Sequence, residues 1–123
     1  MDIEVRDEFA PQRPSVLQLA LPDETSLRAA YIPLFRHGGI FVPTLREYRL
    51  GDEVYVLITL PGDEQRYPVL GSVAWVTPAR ALGGRAQGVG VHFPGDEKSA
   101  QLRRRIEELL SAPSAAERST QTI

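Results

Sequence analysis

The chain has 123 residues, 42% of them hydrophobic, with 14 basic against 16 acidic side chains and a formal net charge of −2. That length and apolar share suit one domain with one core and argue against disorder throughout. The charge balance argues against nucleic-acid binding as the main task, which needs clustered Lys and Arg, and the absence of cysteine excludes disulfides and thiolate metal sites.

Residues 1–14 mix charges with Pro11 and Pro14 and read as an N-terminal tail. The body is expected over residues 15–111, where period-two patterns dominate. Val16 to Leu21 reads as a short strand and Pro22-Asp23-Glu24 as a turn. Leu27 to Leu34 is apolar and reads as extended, because Pro33 disfavours a helix there. Gly39-Ile40-Phe41-Val42 is a strand closed by Pro43. From Val54 to Leu60 both alternating sets are apolar, which predicts a strand covered on both faces. Tyr67 to Val76 is a long strand with a bend or bulge expected at Gly71. Gly83-Gly84 marks a loop. In Gly88 to Phe93, Val89, Val91 and Phe93 share one face, and Gly88, Gly90 and His92 share the other. Asp96 is placed to cap a helix through Leu110, with Leu102, Ile106, Leu109 and Leu110 as its apolar stripe. Residues 112–123 are rich in Ser, Ala and Thr and read as a flexible C-terminal tail.

Motifs for catalysis are scarce. The two histidines, His37 and His92, form no metal-binding pair and have no nucleophile partner in sequence. Gly83-Gly84 and Gly88-Val89-Gly90 lack the lysine and the strand-to-helix setting of a phosphate loop. Arg103-Arg104-Arg105 is followed by Glu107 and Glu108, so the run reads as a solvated helix face. No stretch approaches the roughly 18 apolar residues of a membrane helix. The expectation is a non-enzymatic protein, cytoplasmic, not embedded in a membrane, without metal or cofactor, and monomeric on its own.

Four segments carry a resemblance, in order and spacing. They are Tyr31 to Thr44 (YIPLFRHGGIFVPT), Gly51 through Pro61, Gly71 to Pro78 (GSVAWVTP) and Gly88 to Phe93 (GVGVHF). Together they resemble the PilZ domain family, in its type IV pilus assembly branch. The resemblance implies a mostly β fold: a six-stranded antiparallel β-barrel with one C-terminal α-helix. It implies an adaptor or regulator of type IV pilus biogenesis and twitching motility. The implied partners are the pilus extension ATPase PilB and a FimX-like EAL-domain receptor.

PilZ domains at large bind cyclic di-GMP through Arg-x-x-x-Arg and (Asp/Asn)-x-Ser-x-x-Gly, since guanidinium forks suit phosphates and guanine edges. Aligned on Gly39, this chain has Leu34 in place of the Asp or Asn and Arg36 in place of the Ser. No Arg-x-x-x-Arg occurs anywhere in it. Only Gly38 and Gly39 remain, and they read as serving a tight strand entry. Weak or absent cyclic-di-GMP binding is therefore expected. The alternative is a direct cyclic-di-GMP receptor using Arg36, and an enzyme stands a distant third. For contact with a partner the candidates are Tyr31, Trp75, Val16 and Leu19. Trp75 is the only tryptophan. An indole fits poorly inside a small barrel, which points it outward toward a helix or a partner.

Overall fold

The computed structural model describes residues 15–111; both expected tails lie outside them. Chain order is β1 (Ser15–Ala20), α1 (Glu24–Ala30), β2 (Tyr31–Ile32), β3 (Gly39–Pro43), β4 (Glu53–Thr59), β5 (Arg66–Thr77), a short 3₁₀ turn (Leu82–Gly84), β6 (Gly88–His92) and α2 (Glu97–Ser111). The six strands make one sheet in the order β1-β4-β5-β6-β3-β2.

Two expectations about this sheet need correction. It is mixed, because β1 runs parallel to β4, from Ser15 opposite Val54 to Ala20 opposite Thr59. Parallel neighbours need a crossover of a dozen or more residues, and α1, β2 and β3 supply it. The sheet is also open: among the described residues β1 and β2 are its two ends and do not pair, so no barrel closes.

The stretch read as turn and extended chain is partly helical. Asp23 caps α1, accepting from the Ser26 backbone N–H at 2.8 Å, and Ser26 Oγ accepts from the Asp23 N–H at 3.2 Å. This reciprocal cap satisfies two orphan donors, and Pro33 lies past the helix end. Leu27 and Ala30 of α1 are buried. The second helix follows the sequence pattern. Asp96 Oδ1 accepts from the Ser99 N–H at 2.8 Å, and Leu102 and Ile106 are buried.

The core lies on one face of the sheet, under the two helices. Leu17 and Leu19 of β1, Val54, Val56 and Ile58 of β4, Val69 and Val73 of β5, Val89 and Val91 of β6, and Ile40 and Val42 of β3 are buried with Phe93, Leu27, Leu102 and Ile106. Each fully buried Val, Ile, Leu or Phe contributes about 1.5–3 kcal/mol before chain entropy is charged against it. The opposite face is only partly covered. Tyr55 of β4 is exposed and Leu57 is half-buried, so β4 is not sealed on both faces as its pattern suggested.

The irregularity in β5 is at Ala74, not Gly71. Val73 lies opposite Val91 and Trp75 opposite Gly90, with Ala74 as the extra residue. Gly71 stays in register, and a Cβ there would meet Val91 Cγ1 at 2.5 Å. One extra residue reverses the alternation downstream. Val73 therefore points into the core, and Trp75, two positions later, points out.

Candidate functional site

The bulge sets Trp75 on the outer face of the sheet, half exposed at 50% of its surface. Its indole Nε1–H donates to Thr77 Oγ1 at 2.8 Å, two residues along the same strand face. Around it lie Ile32, Leu34, Phe35 and Phe41, with Arg85 as the single charged side chain of the lining. Together they form a shallow apolar groove of about 560 Å³.

Glycines make the groove possible. Gly90 has no side chain between Trp75, Ile32 and Phe35; a Cβ there would lie 2.9 Å from Trp75 Cβ and 3.1 Å from Ile32 Cδ1. At Gly39 a Cβ would lie 2.5 Å from both Phe35 Cδ2 and the Val91 carbonyl oxygen. The Gly-x-Gly face of β6 is thus the bed on which aromatic rings rest. That alternation was the sequence signal for Ile32, Phe35 and Phe41, which were not among the sequence-derived candidates.

The loop from Pro33 to Gly38 carries the positions of the degenerate nucleotide motif. Leu34 is 92% exposed at the groove's rim, and Arg36 is exposed beside it. Gly38 takes a positive φ of 80°, a conformation glycine adopts without the steric cost a side chain brings. The Gly38 carbonyl accepts from the Phe93 N–H at 2.9 Å, tying the loop to the end of β6. His92 Nε2 accepts from the His37 backbone N–H at 3.1 Å, and the two imidazoles stack with centroids 5.5 Å apart. Phe35 meets the His92 ring edge-on. Burial, then the positive neighbours His37 and Arg36, hold the His92 pKa below its ordinary value.

α2 clasps this loop. Tyr31 Oη donates to Glu107 Oε2 at 2.6 Å and accepts from Arg103 Nε at 3.2 Å, and Arg103 Nη1 donates to the Arg36 carbonyl at 3.1 Å. Burial raises the Tyr31 pKa, and its bond to Glu107 adds to that; the same O–H lowers the Glu107 carboxyl. Tyr31 is thus half-buried with its hydroxyl committed inside the molecule. Arg103 holds the groove-bearing loop against the helix, a task the sequence did not single out. Its neighbours pair on the surface, Arg104 with Glu97 and Arg105 with Glu108.

The remaining candidates lie elsewhere. Val16 is exposed on the outer face of β1, opposite Tyr55, which in turn lies opposite Leu70; all three are exposed. Leu19 points the other way and is buried in the core. The structure brings Trp75, Leu34 and the glycine pair into one region and leaves Val16 and Leu19 outside it.

Among the described residues no group of three His, Asp or Glu side chains gathers as a metal site, and no helix is long and apolar enough to cross a membrane. What the described residues around Trp75 offer is apolar contact surface. No curated protein matches the chain in a sequence comparison. The family model of the PilZ domain matches residues 4–112, nearly the whole chain. That match shows that the chain belongs to the PilZ domain family, whose members are generally non-enzymatic binding domains in cyclic-di-GMP-related signalling.

Proposed function

We propose that this protein is a cytoplasmic adaptor of type IV pilus biogenesis and twitching motility, docking on the pilus extension ATPase through the groove around Trp75. A FimX-like EAL-domain receptor is its second partner in this reading. The observation that carries it is the half-exposed Trp75 set among Ile32, Leu34, Phe35 and Phe41, apolar surface outside the core that the described residues leave uncovered. Exposed aromatic clusters of this kind mark contact sites, and tryptophan leads among interface hot spots. The missing Asp or Asn, Ser and Arg pair supports an adaptor that binds cyclic di-GMP weakly or not at all.

The test is binding of the purified extension ATPase to the full chain and to two variants, Trp75→Ala and Leu34→Asp. Leu34 is almost wholly exposed, so its substitution tests the surface without disturbing the core. Both variants are expected to weaken binding at least about tenfold, the usual effect of losing a contact worth about 1.4 kcal/mol. If both bind as the unaltered chain does, the groove is not the interface. If the unaltered chain does not bind, the pilus assignment fails. Calorimetric titration with cyclic di-GMP separates the alternative, a direct receptor, which predicts submicromolar binding lost on Arg36→Ala.

A further inference from the structure

The Pro33–Gly38 loop supplies Leu34 and Phe35 to the wall of the Trp75 groove. One peptide unit in it, between Arg36 and His37, is held from both sides. Its carbonyl accepts from Arg103 Nη1 at 3.1 Å, and its N–H donates to His92 Nε2 at 3.1 Å. The two holds differ in kind. A guanidinium keeps its protons at any ordinary pH, whereas an imidazole changes charge around a pH of about 6.5. His92 Nε2 accepts only while it carries no proton. Once protonated, it is a second donor facing the first.

The surroundings decide what a charge on His92 would meet. In the sheet, Gly39 of β3 and Ser72 of β5 lie opposite it, and neither titrates. The loop presents Arg36 and the His37 ring, which stacks on His92 with centroids 5.5 Å apart. The turn after β6 lies against His37, since a Cβ at Gly95 would be 3.0 Å from His37 Nε2. The Asp96 carboxylate next to that turn is committed to the Ser99 N–H. From α2, the Arg103 guanidinium is shared among Tyr31, Glu107 and the Arg36 carbonyl. Among the described residues no carboxylate pairs with either imidazole. A proton on His92 therefore meets basic neighbours and no counter-ion. Burial first, and then His37 and Arg36, hold its pKa below the ordinary value.

We propose that the groove carries a proton switch: a proton on His92 releases the His37 N–H, frees the Arg36–His37 peptide on that side and moves Phe35 from its place beside Trp75. Phe35 immediately precedes the clamped peptide. Its ring meets His92 edge-on and rests over Gly39, where an added Cβ would lie 2.5 Å from Phe35 Cδ2. The sign follows from the acceptor role. The clamped loop needs neutral His92, so the groove is complete above a pH of about 6.5. It loses its Phe35 wall as the pH falls through the lower folded-state value. By linkage, an occupant of the groove and a proton on His92 weaken each other by the same factor. The switch rests on the groove as a working surface, but not on which partner fills it.

The experiment is a pH titration of the isotope-labelled full chain, followed by NMR of the His92 imidazole, the His37 amide, the Phe35 ring and the Trp75 indole N–H. The expected result is one midpoint shared by all four signals, below a pH of about 6.5. His92→Gln offers an uncharged acceptor for the His37 N–H, so the Phe35 and Trp75 signals should stay at their neutral-pH positions throughout. His37→Ala keeps the backbone N–H and removes the stacked ring. The His92 midpoint should then rise, with Phe35 and Trp75 still following it. Phe35 and Trp75 signals that stay still while His92 titrates would overturn the proposal. So would their movement at an unchanged midpoint in His92→Gln. No partner protein enters the measurement, so its outcome is separate from whether the groove meets the pilus ATPase.

Discussion

Replacing Gly39 by Ala tests the close packing on which the groove rests. A Cβ at this position would lie 2.5 Å from the Val91 carbonyl oxygen and 2.5 Å from Phe35 Cδ2. A carbon and an oxygen that are not bonded approach to about 3.3 Å, so the overlap with the carbonyl is about 0.8 Å. Phe35 can swing away into the groove. The carbonyl cannot, because Val91 is held opposite Ile40 in the β3–β6 ladder. Overpacking against a fixed group costs up to about 3 kcal/mol. Gly51 is the control, with a φ of +92° and nothing within 4 Å of an added Cβ. Gly51→Ala brings only the left-handed strain, about 1 kcal/mol, partly offset by the lower entropy of its unfolded chain. Gly39→Ala should therefore be less stable than Gly51→Ala by about 2 kcal/mol, or roughly 10 °C in Tm for a domain of this size. Urea unfolding followed by far-UV circular dichroism and by the fluorescence of Trp75 measures this. Coincident midpoints for the two variants would refute the steric argument, and with it the account of why glycine is needed at the entry of β3.

Three further outcomes follow from the same geometry. Because the folded-state pKa of His92 lies below its unfolded value of about 6.5, the unfolded chain takes up the proton more readily. The stability tied to this group is complete above about pH 6.5 and declines as the pH falls, until the folded value is passed. His92→Gln keeps an acceptor for the His37 N–H and should flatten the unfolding midpoint between pH 7 and pH 5; parallel slopes for variant and parent would contradict this. Tyr31→Phe removes the hydroxyl between Glu107 and Arg103 and should cost about 1 kcal/mol, with the loss coupled to Glu107→Gln in a double-mutant cycle; strict additivity would show that the clasp of α2 on the loop is energetically idle. Trp75, as the lone tryptophan, should be quenched efficiently by acrylamide, and a blue-shifted, protected emission would place the indole inside.

Much of the core was legible in the sequence because burial in a strand repeats every second residue. Val54, Val56 and Ile58, and Val89, Val91 and Phe93, form the inner face their alternation implies. The C-terminal helix was legible for a local reason too, since Asp96 and the Leu102–Ile106 stripe need no distant partner to be recognised. The helix at Glu24–Ala30 was hidden by Pro33, although its cap, Asp23 with Ser26, was present in the sequence. The aromatic groove was only half legible: Trp75 stood out as a single residue, while Ile32, Phe35 and Phe41 join it from strands and loops far along the chain.

The sequence by itself determined which residues favour strand or helix, which faces are apolar, and which ligand-reading groups are missing at Leu34 and Arg36. Those properties are local, set by side-chain chemistry and by the periods of strand and helix. Only the tertiary structure decided that β1 lies parallel to β4, that the sheet stays open, and that Arg103 clasps the loop. It also decided the direction of Trp75. Period-two reading puts Trp75 on the same face as Val73; one extra residue at Ala74, required only by the register against β6, turns it outward. Register is a property of two strands together, and neither strand carries it alone.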